Sequence, residues 1–570
     1  MKSNPNNNLA DLIVAYLEQL GVEYVFGIPG GHIMPLYEAL DRSEKRGGPR
    51  AIFSRHENGA AYMADGYARE SGKLGVCCVT TGPGITNIVS GIASAYFDYT
   101  PLLLISGQTS LIEFGAGSFQ ESSPDVLDTT AILKPCTRYS SIITHPNQFA
   151  RKITAALHHA FYAPGGPVHL SIPIDIHRTP APVDLNTHFR YPQAELVDYV
   201  AFERLWTEIS AVLKRGKKII ILVGHCAAPA RNAIQRFAEL TNTNLITTHR
   251  GKSWVDHYHP LVRGVFGYAG HATARQALLD PEVELILATG TGLGQWSTSN
   301  WDPILLNDRL IHIHPDSAAF SRSPMARLQV LGMIQPIFEE LNRRINSLAP
   351  ELSLTQFTDA PPQITRRGAP AQIKVQNPDE YLSSIAPLHP QRLMYELMQR
   401  LPPEARITID NSNWLPWSIH HLFTADHTSY RASVEFGAMG RGIGAAIGIA
   451  MANRGIPVVS LTGDGCFAMS GQEIAVAVAE RLPVIFIIIN DCSFGMVRHR
   501  HRQISPNPLP LHLPYVDFAL IAQAVGAEGF TIHQPSDLDQ IDFAALCNKS
   551  GPTLLNVLID PDVMPAMGMF

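Results

Sequence analysis

The sequence has no C-x-x-C pair, and its seven cysteines fall at irregular spacings. An odd, scattered set counts against a disulfide framework or a cysteine-built zinc site and fits a reducing compartment. Charge is sparse too. Asp, Glu, Lys and Arg make up 16% of the residues, the formal net charge is −6 and the pI is near 6.4. A general binder of nucleic acid or of an anionic membrane surface is basic, so neither partner is expected. No window approaches the ~20 apolar residues of a membrane span. The Asn-rich start runs into a capped helix pattern rather than the apolar core of a signal peptide. The expected location is cytoplasmic. What the chain does have is length and apolar content: 570 residues, 45% of them hydrophobic. At roughly 150 residues per domain that is three or four domains, each with material for a core.

Helix and strand signals alternate in three blocks. In the first, the helix pattern Leu9–Leu20 leads to a short strand, Tyr24–Phe26, and the turn Gly27-Ile28-Pro29-Gly30-Gly31. The apolar run Gly75–Val79 meets Thr80-Thr81-Gly82-Pro83-Gly84, which opens a helix. Residues 181–200 are Pro-rich and irregular, a connector. The second block has strand runs Lys218–Val223, ending in Gly224-His225, and Glu284–Ala288, ending in Gly290-Thr291-Gly292-Leu293-Gly294. After a second Pro-rich stretch, a third block carries the runs Pro457–Leu461 and Pro483–Ile489 with a helix, Gln472–Arg481, between them. Strands alternating with helices predict parallel, helix-covered sheets, whose ligands sit at the carboxyl ends of the strands. The first and third blocks read as diverged relatives.

One unit of the third block carries chemistry. Val458–Leu461 runs into Thr462-Gly463-Asp464-Gly465, and residues 466–489 separate this turn from Asn490 at the end of the next strand. Asp464 and Asn490 then emerge at one sheet edge and offer hard oxygens, the ligands Mg2+ takes. The glycines let backbone amides approach a phosphate. A lone Gly-Asp-Gly is an ordinary turn; the strand–helix–strand context and the spacing make this one a metal–diphosphate signal. In the first block Glu57 follows the strand signal Ala51–Phe53 and opens an Ala-rich helix. Alone it is a first-turn capping charge.

With both segments in view, the chain resembles the acetohydroxyacid synthase and acetolactate synthase branch of the thiamine-diphosphate enzymes. The likeness runs from Phe26-Gly27-Ile28-Pro29-Gly30-Gly31 to about residue 560. Thr81-Gly82-Pro83-Gly84-Ile85-Thr86-Asn87, Phe119-Gln120-Glu121, Gly437-Ala438-Met439-Gly440 and Phe494-Gly495-Met496-Val497 carry it further. It implies an α/β chain of three doubly wound parallel-sheet domains: pyrimidine-binding (1–185), central (195–350) and, after a linker (351–389), diphosphate-binding (390–570). It implies thiamine diphosphate and Mg2+. It also implies a homodimer or homotetramer with active sites between subunits, Glu57 of one chain facing the Asp464–Asn490 unit of another. A regulatory subunit is compatible with the likeness but not required by it.

The resemblance assigns roles. Glu57 would bond the aminopyrimidine ring and promote the proton transfer that activates the cofactor. Met439 would bend the cofactor into its V shape, although core packing is the commoner fate of a methionine. Gly437 would offer its carbonyl to the pyrimidine amine. Asp464, Asn490 and the backbone carbonyl of Cys492 would hold Mg2+. Gly82, Asn87, Asn413, Gly463, Gly465, Cys466 and Met496 complete the expected cofactor contacts. The substrates would be small 2-keto acids, with pyruvate decarboxylated and its acyl carbon joined to a second keto acid to give acetolactate, as in branched-chain amino acid biosynthesis. Gln120 and Phe119 would flank the reacting carbons, and Gly30 and Gly31 would shape the cavity by close backbone approach.

Three departures stand out. Where biosynthetic relatives carry Arg-Phe-Asp-Asp, this chain has Gly290-Thr291-Gly292-Leu293-Gly294-Gln295-Trp296. The lost arginine counts against FAD, although the glycine turns suit a dinucleotide. A Trp expected after Gly-Met-Val is replaced by Arg500 within Arg498-His499-Arg500-His501-Arg502. That run is a solvated basic face, or else Arg498 and Arg500 meet an acceptor carboxylate. Third, only His32 follows the Gly30-Gly31 turn, where simple 2-keto-acid decarboxylases usually carry a His-His pair. Transfer to another aldehyde or ketone, simple decarboxylation and, with Glu57, Asp464 and Asn490 all present, the much weaker case of a non-catalytic cofactor-binding assembly protein are the alternatives.

Overall fold

The computed structural model describes residues 8–181, 196–348, 368–426, 428–432 and 434–567. The first sheet is built from β1 (Tyr24–Gly27), β2 (Arg50–Phe53), β3 (Gly75–Val79), β4 (Leu102–Gln108), β5 (Tyr139–Ile142) and β6 (Pro167–Pro173). The second comprises β7 (Lys218–Val223), β8 (Asn244–Thr247), β9 (Val262–Val265), β10 (Val283–Thr289), β11 (Leu310–His314) and β12 (Leu328–Leu331). The third comprises β13 (Arg406–Ile409), β14 (Tyr430–Ala432), β15 (Val458–Gly463), β16 (Val484–Asn490), β17 (Glu528–Ile532) and β18 (Thr553–Leu558). All pairings within these sheets are parallel. The orders are β2-β1-β3-β4-β6-β5, β12-β11-β10-β7-β8-β9 and β14-β13-β15-β16-β18-β17. The first and third are the same order with labels offset by twelve, so the kinship read from the alternating blocks reappears as topology. The turn Thr81-Gly82 follows β3, and Gly463-Asp464 ends the equivalent strand, β15.

The central strands β3, β4, β15 and β16 are buried along their whole length. That is why they read as unbroken apolar runs: strands of a helix-covered parallel sheet have no polar face. The helices Glu57–Ser71 and Arg441–Ala452 pack the first and third sheets against each other. A Cβ on Gly448 would stand 2.0 Å from the Met63 carbonyl oxygen, and one on Gly66 would stand 2.2 Å from that of Ala445. Beside them lies a buried ion cluster. Arg69 and Arg441 reach Asp98, Arg441 also reaches Asp65, and Arg250 of the central block joins at Asp98. Burial alone would raise the Asp98 carboxyl, but Arg250, Arg69 and Arg441 outweigh it and hold the group low.

Two expectations change. The connector 181–200 lies mostly outside the described residues, as does 349–367. The rest of the 351–389 linker is not loose: Ile373, Tyr381 and Leu388 are buried in the core shared by the second and third sheets. The helix expected over Gln472–Arg481 instead starts at Asp464, runs to Ser470, tightens to a 3-10 turn at Gly471–Glu473 and resumes over Ile474–Ala479. Among the described residues no helix is long and apolar enough to cross a membrane.

Candidate active site

β15 and β16 are neighbours with Gly463 opposite Ile489, so Asp464 and Asn490 leave the sheet side by side. Asn490 is fixed by its amide nitrogen, which donates to the Val516 carbonyl at 3.0 Å and the Asn556 side-chain oxygen at 2.9 Å. Its own Oδ1 accepts only a thiol contact from Cys492 at 3.5 Å. Asp464 Oδ1 accepts the Gly465 amide at 2.7 Å, and its Oδ2 is buried without a donor. Burial, then the charge of Asp491, pushes the Asp464 carboxyl up to about 7. A buried carboxylate oxygen without a donor, near an amide oxygen that accepts only a weak thiol contact, is what a hard divalent cation relieves. The Cys492 residue is left-handed (φ 49°), and its carbonyl accepts the Leu513 amide at 2.6 Å. One lone pair of that oxygen remains for a cation. Among the described residues no three His, Cys, Asp or Glu side chains form a metal group, so a cation here depends on an amide and a carbonyl.

A cavity of about 260 Å³ opens at Asp464, lined by the polar Asp464, Asp491 and Asn413 and by the apolar Met439, Met496 and Trp296. Gly437, Gly463, Gly465 and Cys466 also border it, whereas Asn490 does not. The Asn413 amide donates to Asp491 at 3.1 Å and leaves its buried Oδ1 without a partner. Asp491, which the sequence reading passed over, also accepts the Ser493 amide and hydroxyl. A carboxylate directly after the strand-end Asn490 was the signal for it. Asp410, buried and pushed up to about 6 by burial, draws in Gly440 and Thr462 with bonds of 3.0 and 2.8 Å. It thereby sets the turn that carries Met439. The Cys466 thiol donates to the Asn411 carbonyl at 3.3 Å.

The first-block residues gather at the corresponding edge of the first sheet. Glu57 is buried at the start of its helix and accepts the Asn87 amide at 3.0 Å. The Glu473 carboxylate from the third block accepts the Arg55 and His56 amides just before it. Gln120, left-handed at φ 59°, has its carbonyl bonded by Thr81 and lies against Gly82. Phe119 beside it is 80% exposed. Gly30 touches Thr80, where a Cβ would approach within 2.6 Å. The close approach expected of Gly31 is absent within the chain, since a Cβ there meets nothing within 4 Å. None of these residues lines the cavity at Asp464.

The basic run divides. Arg498 is buried and turned away from the cavity; it donates to the Pro561 carbonyl and to Asp562, each at 2.7 Å. It anchors the C-terminal segment, which corrects the expectation that it meets an acceptor. Arg500 lies one helical turn beyond Met496 on the helix Gly495–Ile504, outside the cavity's lining, and its guanidinium donates to the Gln503 side-chain oxygen at 3.5 Å. His158-His159, unremarked in the sequence reading, is exposed on the helix Phe149–Phe161 and belongs to no site. In the central block the turns after β7 and β10 face a separate cavity of about 290 Å³, and Gly290, Gly292 and Ser297 border it. Trp296 of the same loop faces the cavity at Asp464 instead.

Comparison with known proteins agrees with this layout. Residues 7–131 match the thiamine pyrophosphate enzyme N-terminal TPP binding domain, 207–341 the central domain and 413–557 the C-terminal TPP binding domain. The chain is 30% identical to a "probable acetolactate synthase large subunit" of Methanocaldococcus jannaschii, over 97% of this chain and 92% of that one. It is 29% identical to the acetolactate synthase isozyme 2 large subunit of Escherichia coli, over 97% and 96%. A solved structure from Mycobacterium smegmatis, described as a thiamin diphosphate-dependent enzyme, shares the fold with a TM-score of 0.77 at 22% identity, over 97% and 99% of the two chains.

Proposed function

The chain belongs to the thiamine pyrophosphate enzymes, in the branch of the acetolactate synthase large subunits, and from that premise we propose that it decarboxylates pyruvate and joins the acyl carbon to a second keto acid. Thiamine diphosphate, when bound, supplies the electron sink that lets a 2-keto acid lose CO2 and its acyl carbon attack a carbonyl. The observation that carries the reading is the buried Asp464 oxygen without a donor, at the end of the strand beside that of Asn490 and bordering a cavity that Met439 also lines. Asp464, Asn490 and the Cys492 carbonyl would hold Mg2+ against the diphosphate. Asn413, Gly463, Gly465 and Cys466 would line the diphosphate's bed, and Gly437, Met439 and Met496 the rings.

Glu57, oriented by Asn87, would bond the pyrimidine ring of a cofactor seated in another copy of the chain. Glu57, Gly82, Asn87 and Gln120 share one sheet edge, while the Asp464 cavity is bordered by none of them. A homodimer or larger homo-oligomer follows from this reading. Gln120 and Phe119 would then meet the substrate, with Gly30 and Gly31 behind them, and Arg500 would face the acceptor carboxylate.

The test is a reaction of the full chain with pyruvate, thiamine diphosphate and Mg2+, followed by detection of acetolactate and, after acidification, acetoin. Glu57→Gln is expected to bind the cofactor within a fewfold of wild type and to lose about 10²-fold or more in turnover, in the range of a removed acid–base group. CO2 with free aldehyde and no acetolactate would make the chain a decarboxylase. No CO2 from any 2-keto acid would end the reading.

A further inference from the structure

The helix that opens on Glu57 has its start fixed by a residue of the third block. Glu473 closes the 3-10 turn Gly471–Glu473, directly after the helix Asp464–Ser470. Its side chain is 0% exposed. Oε1 accepts the His56 amide at 2.8 Å and the Arg55 amide at 3.1 Å, and Oε2 accepts the Arg55 amide at the same 3.1 Å. Arg55 and His56 are the two residues before Glu57, and His56 is the helix N-cap. The carboxylate therefore grips the backbone that aims Glu57.

The grip is close. A Cβ on Gly59 would stand 2.2 Å from Glu473 Oε1 and 2.4 Å from its Cδ, so the first turn of the Glu57 helix closes over the carboxylate at a residue with no side chain. The His56 ring is spent within its own helix, its Nδ1 accepting the Asn58 amide at 3.1 Å. The two backbone amides ahead of Glu57 are left to Glu473. Burial pushes the Glu473 carboxyl up to about 7 against those amide bonds, and the charge of Glu57 adds to the rise. For capping alone a short neutral side chain serves. What the carboxylate adds is two acceptor oxygens in one plane, which fix both amides at once.

We propose that Glu473 is a positioning residue for Glu57, fixing from the third block the segment that presents Glu57 to the cofactor's pyrimidine ring. This rests on the role given to Glu57 above and not on which acceptor the chain uses. Glu473 does not border the cavity at Asp464; its effect passes through the Arg55 and His56 amides.

The experiment uses the full chain saturated with thiamine diphosphate and Mg2+ and needs no substrate. Exchange of the thiazolium C2 proton for deuterium is followed by quenched-flow NMR in wild type, Glu473→Gln and Glu57→Gln, with cofactor affinity measured by calorimetry. In Glu473→Gln the side-chain NH2 faces the Arg55 amide, so an acceptor is lost at unchanged volume. Exchange is expected to slow by roughly tenfold to a hundredfold, the scale of a slightly displaced reacting group, with cofactor affinity within about threefold of wild type. A role in stability alone would leave the exchange rate of the saturated protein where it is. If Glu57→Gln slows exchange and Glu473→Gln stays within twofold of wild type, the proposal is overturned and the role of Glu57 stands. If Glu57→Gln also exchanges at the wild-type rate, the role of Glu57 fails and the proposal falls with it. Should Glu473→Gln not fold, amide hydrogen exchange of wild type decides. Arg55 and His56 are expected to be protected as strongly as the middle of the helix Glu57–Ser71, and free exchange at the two amides would overturn the grip.

Discussion

Asn490 ends β16 and Arg498 lies in the helix that follows it, and their hydrogen bonds separate a candidate ligand from an anchor. Asn490 spends its donors on Val516 and Asn556, and its oxygen meets only the Cys492 thiol. Arg498 spends its donors on Pro561 and Asp562, and Arg502 adds a second bond to Asp562 at 2.8 Å. Arg498→Gln is therefore expected to lower the unfolding free energy by about 1–2 kcal/mol, the low end for a charge-assisted pair because Asp562 is largely exposed. Acceptor preference and affinity should stay at wild type. Arg500→Gln is expected to show the reverse: unchanged melting, and acceptor KM raised severalfold at low salt. Urea melts and acceptor titrations on the two variants decide it. A stable Arg498→Gln with weakened acceptor binding would return Arg498 to the substrate.

At the scale of elements, the helix that begins with Glu57 and the helix that follows Met439-Gly440 meet backbone to backbone. A methyl group on Gly448 would press on the Met63 carbonyl and, at 2.7 Å, on the Tyr67 amide. Neither is a flexible side chain that can step aside, so the helices must part. Gly448→Ala is expected to cost about 1–3 kcal/mol or more by overpacking, seen as a lower thermal midpoint. It should also weaken thiamine diphosphate binding, because the displaced helix carries the Met439 turn. A wild-type midpoint would refute the close contact. The strands were legible in the sequence because burial on both faces leaves an unbroken apolar run with a glycine turn at its end, and β3 and β7 match their expected bounds. The helix at Asp464 was not. Gly463-Asp464-Gly465 reads as a turn, yet the backbone is helical from Asp464 across Cys466 and Phe467, whose side chains are buried. Asp464, Asn490 and Glu57 were legible because their motifs are local. Trp296, Glu473 and the true partner of Arg498 were not, because each is defined by a contact with a segment that sequence distance conceals.

Across the whole molecule, histidines are buried both within the three domains and, at His257 and His420, between the second and third. His169, His249, His257 and His312 are pushed down to about 3, and His314, His420 and His499 to about 4, burial being the first cause in each. In the unfolded chain these imidazoles titrate near 6.5. Below that pH the unfolded state binds more protons than the folded one, so stability rises with pH and is lost as pH falls from about 6.5 toward 4. Buried acids act in the opposite sense. Glu473, pushed up to about 7 by burial against the Arg55 and His56 amides, and Asp410, at about 6, bind protons more readily when folded, so they favour the fold as pH falls. The histidines win by number. At pH 5.5 each withdraws about 1.4 kcal/mol, and together they exceed what these carboxyls return. Thermal unfolding followed from pH 8 to pH 5 should show a nearly level midpoint above pH 7 and a steep fall below 6.5. A midpoint that holds or climbs between pH 7 and 5.5 would mean that the imidazoles are protonated inside the fold, and that their surroundings are wetter than their burial implies.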